Sequence, residues 1–264
     1  MTIVRGWKNK MIVQKENKIG EIVARNFRAA QIFESYGLDF CCGGKKSISE
    51  ACEKKGLNSD EVINELNSRL ENLKTFDVNG RNAINYNAWE LDFLIDYIIN
   101  THHVYVMNSL PNIFAHSQKV ASVHGENHPE VISIADLFSN LKDELETHLQ
   151  KEEKMLFPYI KNLVKIKREN IDIQYPPFGT VNNPIKMMET EHDNAGNILS
   201  FINDYSKGYN PPEDACTTFK VLYQELKEFE DDLHVHIHLE NNILFPKAAE
   251  LEKQILAGQL TNNN

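Results

Sequence analysis

The sequence predicts an all-α protein, with a small helical N-terminal domain followed by an antiparallel four-helix bundle. Three observations carry this. Strand-like alternation is nearly absent over the 264 residues. Four long stretches with apolar residues at helical spacing fill residues 88–257, separated by short Gly- and Pro-bearing breaks. The pattern His-x-x-x-Glu then occurs twice, 88 residues apart, each time leading into Leu-Phe-Pro. Long helices joined by short connections pack as antiparallel neighbours.

The chain divides by pattern into five parts. Residues 1–17 form an N-terminal extension, 18–75 a small helical domain, 76–87 a polar, Asn-rich linker, 88–257 the bundle and 258–264 a tail. In the small domain Ile19, Ile22, Val23, Phe27, Ala30 and Phe33 recur at helical spacing, and Gly37 stands where a helix-closing glycine belongs. The loop Asp39-Phe40-Cys41-Cys42-Gly43-Gly44 follows. Two more helical patterns come next, at 47–55 and 59–73. Ser47 and Glu50 have the spacing of a capping box. The four bundle helices are expected at about 89–124, 129–167, 184–207 and 212–256.

Composition narrows the function classes. A formal net charge of -10 argues against a nucleic-acid partner, which needs clustered Lys and Arg. Residues 1–13 are basic but lack the apolar core of a secretion signal. No stretch is long and apolar enough to span a bilayer. Cys41, Cys42, Cys52 and Cys216 show no disulfide framework, so a reducing cytoplasm is the expected compartment.

The repeat goes further than the motif. His103 and His192 are 89 residues apart, and each precedes a His-x-x-x-Glu, at His148/Glu152 and His236/Glu240. Residues four apart share a helix face, so a His and a Glu so placed can bind one ion, or the Glu can reach a second. On the second helix the apolar stripe is Leu137, Leu141, Leu145, Leu149 and Leu156. Glu152 falls near its middle and His148 inside it. On the fourth the stripe is Phe219, Leu222, Leu226, Phe229, Leu233, Ile243 and Leu244, with Glu240 near the middle and His236 toward one edge.

Two carboxylates therefore point into an apolar core, where an unpaired charge must be neutralised. Neither stripe holds a Lys or Arg. A lone core histidine is ordinarily just hydrogen-bonded; four of them with two glutamates in a repeat call for a metal. His192 lies within the stripe of Ile185, Met188, Ala195, Leu199 and Ile202. His102 and His103 flank the first helix's stripe equally, and periodicity does not choose between them. His234 and His238 point away from the fourth stripe and are read as surface residues. His116, His124 and His128 have no partner motif.

Four imidazoles and two carboxylates exceed one tetrahedral zinc and suit two ions bridged by the glutamates, with iron favoured and manganese or zinc left open by ligand type alone. Open positions would remain for a bridging oxygen and a small diatomic ligand.

This pattern resembles the hemerythrin-like domains. Combined with Tyr36-Gly37-Leu38-Asp39-Phe40-Cys41-Cys42-Gly43-Gly44, it resembles the repair of iron centres family, over residues 18–251. The resemblance implies a hemerythrin-like bundle with two iron ions, oxo- and carboxylate-bridged, held by His103, His148, Glu152, His192, His236 and Glu240. It selects His103 over His102 and places Glu144 and Glu191 near the metals. It implies repair of iron–sulphur clusters damaged by nitric oxide or peroxide, by iron donation. The partners would be damaged iron–sulphur proteins and NO or O2. Reduction of NO to N2O, or an O2/NO carrier or sensor, are the alternatives. Cys41 and Cys42 would serve transfer or redox chemistry, their glycines letting the backbone approach a partner closely. Cys52 and Cys216 lack such a setting and read as structural. A linker of this length also permits exchange between two copies in a homodimer.

Overall fold

The computed structural model describes residues 12–72, 84–172 and 176–262. Most of the expected extension and linker, and the last two residues of the expected tail, lie outside this range. The chain separates into two compact units, one up to Asn85 and one from Tyr86 onward. Among the described residues there is no β-strand, only an isolated antiparallel bridge between Lys18 and Ser47.

The first unit holds α1 (Ile19–Arg25), α2 (Ala29–Ser35), α3 (Ile48–Lys55) and α4 (Ser59–Asn72). The helix expected through Phe27 is two helices. Asn26 leaves the helical region, and its side-chain oxygen accepts from the Arg28 N–H at 3.2 Å. An Asn that bonds two residues on offers the backbone a turn in place of a helix, which apolar spacing does not register. Gly37 closes α2 at φ +63°, with Leu38 N–H on the Phe33 carbonyl and Gly37 N–H on that of Glu34. This is the paired closure that a left-handed glycine permits. The capping box forms: Ser47 Oγ accepts from Glu50 N–H, and Glu50 accepts from Ser47 N–H. Residues 13–17, read with the extension, are tied into this unit, Val13 exchanging two hydrogen bonds with the Asn67 side chain.

The second unit is four long helices, three of them interrupted. Helix α5 runs over residues 91–124, as Leu91–Ile98 and Val104–His124 with one π-helical turn, Ile99–His103, between. Helix α6 runs over 130–169, with a π turn at Glu152–Leu156. Helix α7 is continuous over Asn182–Tyr205. Helix α8 runs over 217–262, with a π turn at Glu240–Leu244. It thus includes residues 258–262, which the sequence reading assigned to the tail. Contacts run in opposite senses along neighbours. His102 and His116 of α5 meet Asp232 and Glu225 of α8. Asn203 and His192 of α7 meet Glu230 and Asn241 of α8. The bundle is antiparallel.

The core is lined by Leu94, Ile98, Val106 and Leu110 of α5, Phe138, Leu141, Leu145 and Leu149 of α6, Met188 and Leu199 of α7, and Leu226, Phe229 and Leu233 of α8. The stripe on α6 passes through Phe138 rather than Leu137, which is only half-buried. No helix among the described residues is long and apolar enough to cross a membrane.

Candidate metal centre

Each π turn abuts a histidine or glutamate of the repeat: Ile99–His103 ends on His103, Glu152–Leu156 begins at Glu152, and Glu240–Leu244 begins at Glu240. A π turn inserts a residue into an α-helix and is rare outside functional sites. Here the insertions leave an apolar run on each side of the polar residue while the polar residue stays on the core face. All six side chains read as ligands are buried, and Glu152 and Glu240 are wholly so, at 0% exposure.

They converge into two clusters. One is His103, Glu152, His236 and Glu240; the other is His148, Glu152, His192 and Glu240, each with its ligand atoms within 4.8 Å of one another. Both glutamates belong to both clusters. All four imidazoles present Nε2 inward. His236 Nε2 lies 3.1 Å and His103 Nε2 3.8 Å from Glu240 Oε1, and His192 Nε2 lies 3.2 Å from Glu240 Oε2. Glu152 Oε2 lies 3.5 Å from both His103 Nε2 and His148 Nε2. His148 and His192 bring their Nε2 atoms to 3.0 Å.

Three of the four outer nitrogens are held from behind. His103 Nδ1 lies 2.8 Å from Glu153 Oε1, His148 Nδ1 2.8 Å from Glu191 Oε2, and His192 Nδ1 2.8 Å from Asn241 Oδ1. An acceptor at Nδ1 fixes the tautomer that offers the Nε2 lone pair to a metal.

The charge balance is unusual for a protein core. Both oxygens of Glu152 and Nε2 of His103 are buried with no hydrogen-bond partner. Leaving a buried carboxylate so costs on the order of several kcal/mol. Burial pulls the His103 imidazole down, but Glu152 and Glu240 more than offset this and raise it to about 10. Burial opposes His192 in the same way, and Glu240 lifts it to about 9. At His236 burial prevails and the imidazole is lowered. Burial also works against the Glu240 carboxylate, yet His236, His103 and His192 hold it well below the ordinary range. Inward nitrogens, two shared carboxylates and orphaned oxygens fit cations at both clusters.

Comparison with known proteins decides the family. Residues 94–248 match the hemerythrin HHE cation binding domain, and residues 15–70 match a domain of unknown function, DUF542. The iron-sulfur cluster repair protein ScdA of Staphylococcus epidermidis is 31% identical over 242 residues, 90% of this chain and 100% of that protein. This chain belongs to the iron–sulphur cluster repair family. The repair protein YtfE of an Enterobacter species is 35% identical, covering 89% of this chain and 97% of the relative. A probable iron-sulfur cluster repair protein of Haemophilus influenzae is 34% identical over 88% and 96%.

The remaining site residues of this family member fall as follows. Glu191 stands behind His148 and also accepts from Lys151; His148 lowers its carboxyl to about 2 despite partial burial. Glu144, expected near the metals, is exposed and joins neither cluster. Cys41 is buried and Cys42 half-buried, with Sγ atoms 3.8 Å apart. The Asp39 carboxylate accepts from the N–H groups of Cys41, Cys42 and Gly43 at 2.9, 3.0 and 2.8 Å. A Cβ on Gly43 would come within 3.1 Å of Asp39 Oδ2, so the glycine makes this cradle possible. Asp39, Cys41 and Cys42 form a third group of metal-ligating atoms. The hydrogen bond to Cys42, then burial, push the Cys41 thiol well up.

Two readings are corrected, and the choice between His102 and His103 is explained. His238, read as surface, is fully buried. Asn242 is hydrogen-bonded to it at 3.1 Å and lines a cleft with Asn87, Ala88 and Trp89. Helical periodicity could not show this, because the burial of an off-stripe residue depends on segments outside its own helix. His102, which periodicity did not separate from His103, joins neither metal cluster. It is buried, lies 2.9 Å from Asp232 Oδ1 and stacks on His236 at 5.5 Å. Cys216 is exposed, with Sγ 3.1 Å from His124 Nε2, a pairing across 92 residues without a local signal.

Proposed function

We propose that the bundle holds two iron ions, bridged by Glu152 and Glu240, and that the protein repairs damaged iron–sulphur clusters by donating iron. One observation carries the reading: two carboxylates in an apolar core are each shared between two pairs of inward-facing imidazoles. One cation would leave half of this donor set unused, and tetrahedral zinc would not need it. Relatives matched across nearly their whole length are iron-sulfur cluster repair proteins, which supports the repair role.

His103 and His236 would hold one iron, His148 and His192 the other. Bound there, iron supplies an exchangeable, redox-active Lewis acid. Six side chains do not fill two six-coordinate shells, so positions remain for an oxygen bridge and for NO or O2. The chain does the rest. Buried Phe157 and Phe245 stack on His103 and His192 and back these two rings with apolar surface. Glu153, Glu191 and Asn241 hold three imidazoles in the binding tautomer. Cys41 and Cys42 would supply the soft donors through which iron or electrons reach the target, Cys42 being the more accessible thiol.

The test is reactivation of an NO-damaged cluster enzyme by the iron-loaded full chain. Recovery must exceed that from the same amount of free ferrous iron, and recovery equal to that control ends the proposal.

A further inference from the structure

The two clusters share both glutamates but not their surroundings. Behind His148 stands Glu191, itself held by Lys151. Behind His192 stands the buried amide of Asn241, in the π turn of α8. Both rings of that cluster are therefore fixed at Nδ1. In the other cluster His103 leans on Glu153, whose side chain is 42% exposed. His236 has nothing: its Nδ1 is buried and meets no hydrogen-bond acceptor. The carboxylate one turn before it, Asp232, is taken up by His102. Apart from its metal-facing Nε2, which lies 3.1 Å from Glu240 Oε1, His236 is kept in place by ring contacts, stacked on His102 at 5.5 Å and tilted against His103 at 4.9 Å.

Stacking restrains a ring's plane but does not choose its tautomer, so nothing commits the proton of His236 to Nδ1. Losing an Nδ1 partner typically costs a metal site ~10–100-fold in affinity. We infer that the His103/His236 cluster is the weaker metal subsite and the one that releases its ion, while the His148/His192 cluster retains its own. The inference rests on the two-metal reading above and assigns the donated iron to one end of the centre. Donation then leaves a chain with one metal, its retained subsite still assembled from four side chains.

The experiment is metal release from the full chain. Protein loaded anaerobically with ferrous iron is mixed with excess of a chelator that colours on binding, and release is followed in time. Two phases of one iron each are expected, separated ~10-fold or more in rate. His236→Ala should abolish the fast phase and keep one slowly released iron. His192→Ala should keep one iron that leaves fast. Asn241→Leu retains all six ligands, so it decides the matter where a ligand variant fails to fold: it should accelerate the slow phase toward the fast one. Two irons leaving in a single phase, a fast phase that survives His236→Ala, or a slow phase untouched by Asn241→Leu would each overturn the inference. Failure of the wild type to take up two irons would instead bring down the two-metal reading.

Discussion

Helices α6 and α8 carry the same motif into the same kind of π turn, yet they hold it in opposite ways. On α6 the histidine is pinned and the glutamate is loose: His148 is backed by Glu191, whereas neither oxygen of Glu152 has a hydrogen-bond partner. On α8 the glutamate is engaged and the histidine loose. Glu240 Oε1 is hydrogen-bonded to His236 Nε2 at 3.1 Å, although its Oε2, 3.2 Å from His192 Nε2, has no hydrogen-bond partner, whereas His236 is held at that nitrogen only, its Nδ1 having no acceptor. A repeat in the sequence sets which ligands enter the core. The neighbours of each copy set how firmly each ligand is held without metal.

The largest expected effect removes the comparison altogether. Glu152→Ala with Glu240→Ala should take iron content from about two per chain to none, because the shared ligands serve both clusters; elemental analysis of protein from iron-supplemented cells reads this. Iron unaffected by the double change would mean the core carboxylates have another purpose.

Next in size is the pH dependence of loading. His103 and His192, raised to about 10 and about 9 in the metal-free chain, are protonated at neutral pH. A metal takes only the neutral ring, so binding must expel these protons. Apparent affinity should rise steeply from about pH 6.5 to about pH 8.5 and flatten only above the two imidazole values. Affinity that is level across that window, measured by competition with a chelator of known pH behaviour, would remove the protonated pair from the account.

Metal-free stability separates the two glutamates directly. Glu240→Gln withdraws the counter-charge from imidazoles that stay buried and should cost about 3 kcal/mol. Glu152→Gln replaces a carboxylate with unpartnered oxygens and should cost clearly less. Thermal or urea unfolding of the apo variants ranks them, and the reverse order would contradict the opposed anchoring of α6 and α8. The smallest effect concerns the pins. Glu191→Gln should weaken metal retention ~10-fold, and Glu153→Gln less, since Glu153 is already in contact with water. Equal losses would show that exposure of the partner does not matter.

Much of this was legible in the chain itself. The spacing of His148, Glu152, His192, His236 and Glu240, set against the apolar stripes, places five polar groups on core faces, because helical periodicity converts position directly into direction; His103 followed from the family resemblance. Capping at Ser47/Glu50 and closure at Gly37 are legible for the same reason: their partners lie within a few residues. The break at Asn26 was hidden because an apolar stripe can continue across a turn. The π turns were hidden because each adds only one residue to an otherwise helical pattern.

The sequence by itself determined the all-α class, the two-part organisation of the pattern and five of the six candidate ligands, all of which depend on local geometry, while His103 rested on the family resemblance. Only the tertiary structure decided that both glutamates serve both clusters and that His102 takes Asp232 from His236. It likewise decided that Lys247 meets the backbone of Asn87 and Trp89, and that Cys216 meets His124. Each of these joins residues far apart in the chain, and such contacts follow from how helices are stacked rather than from the period of any one of them.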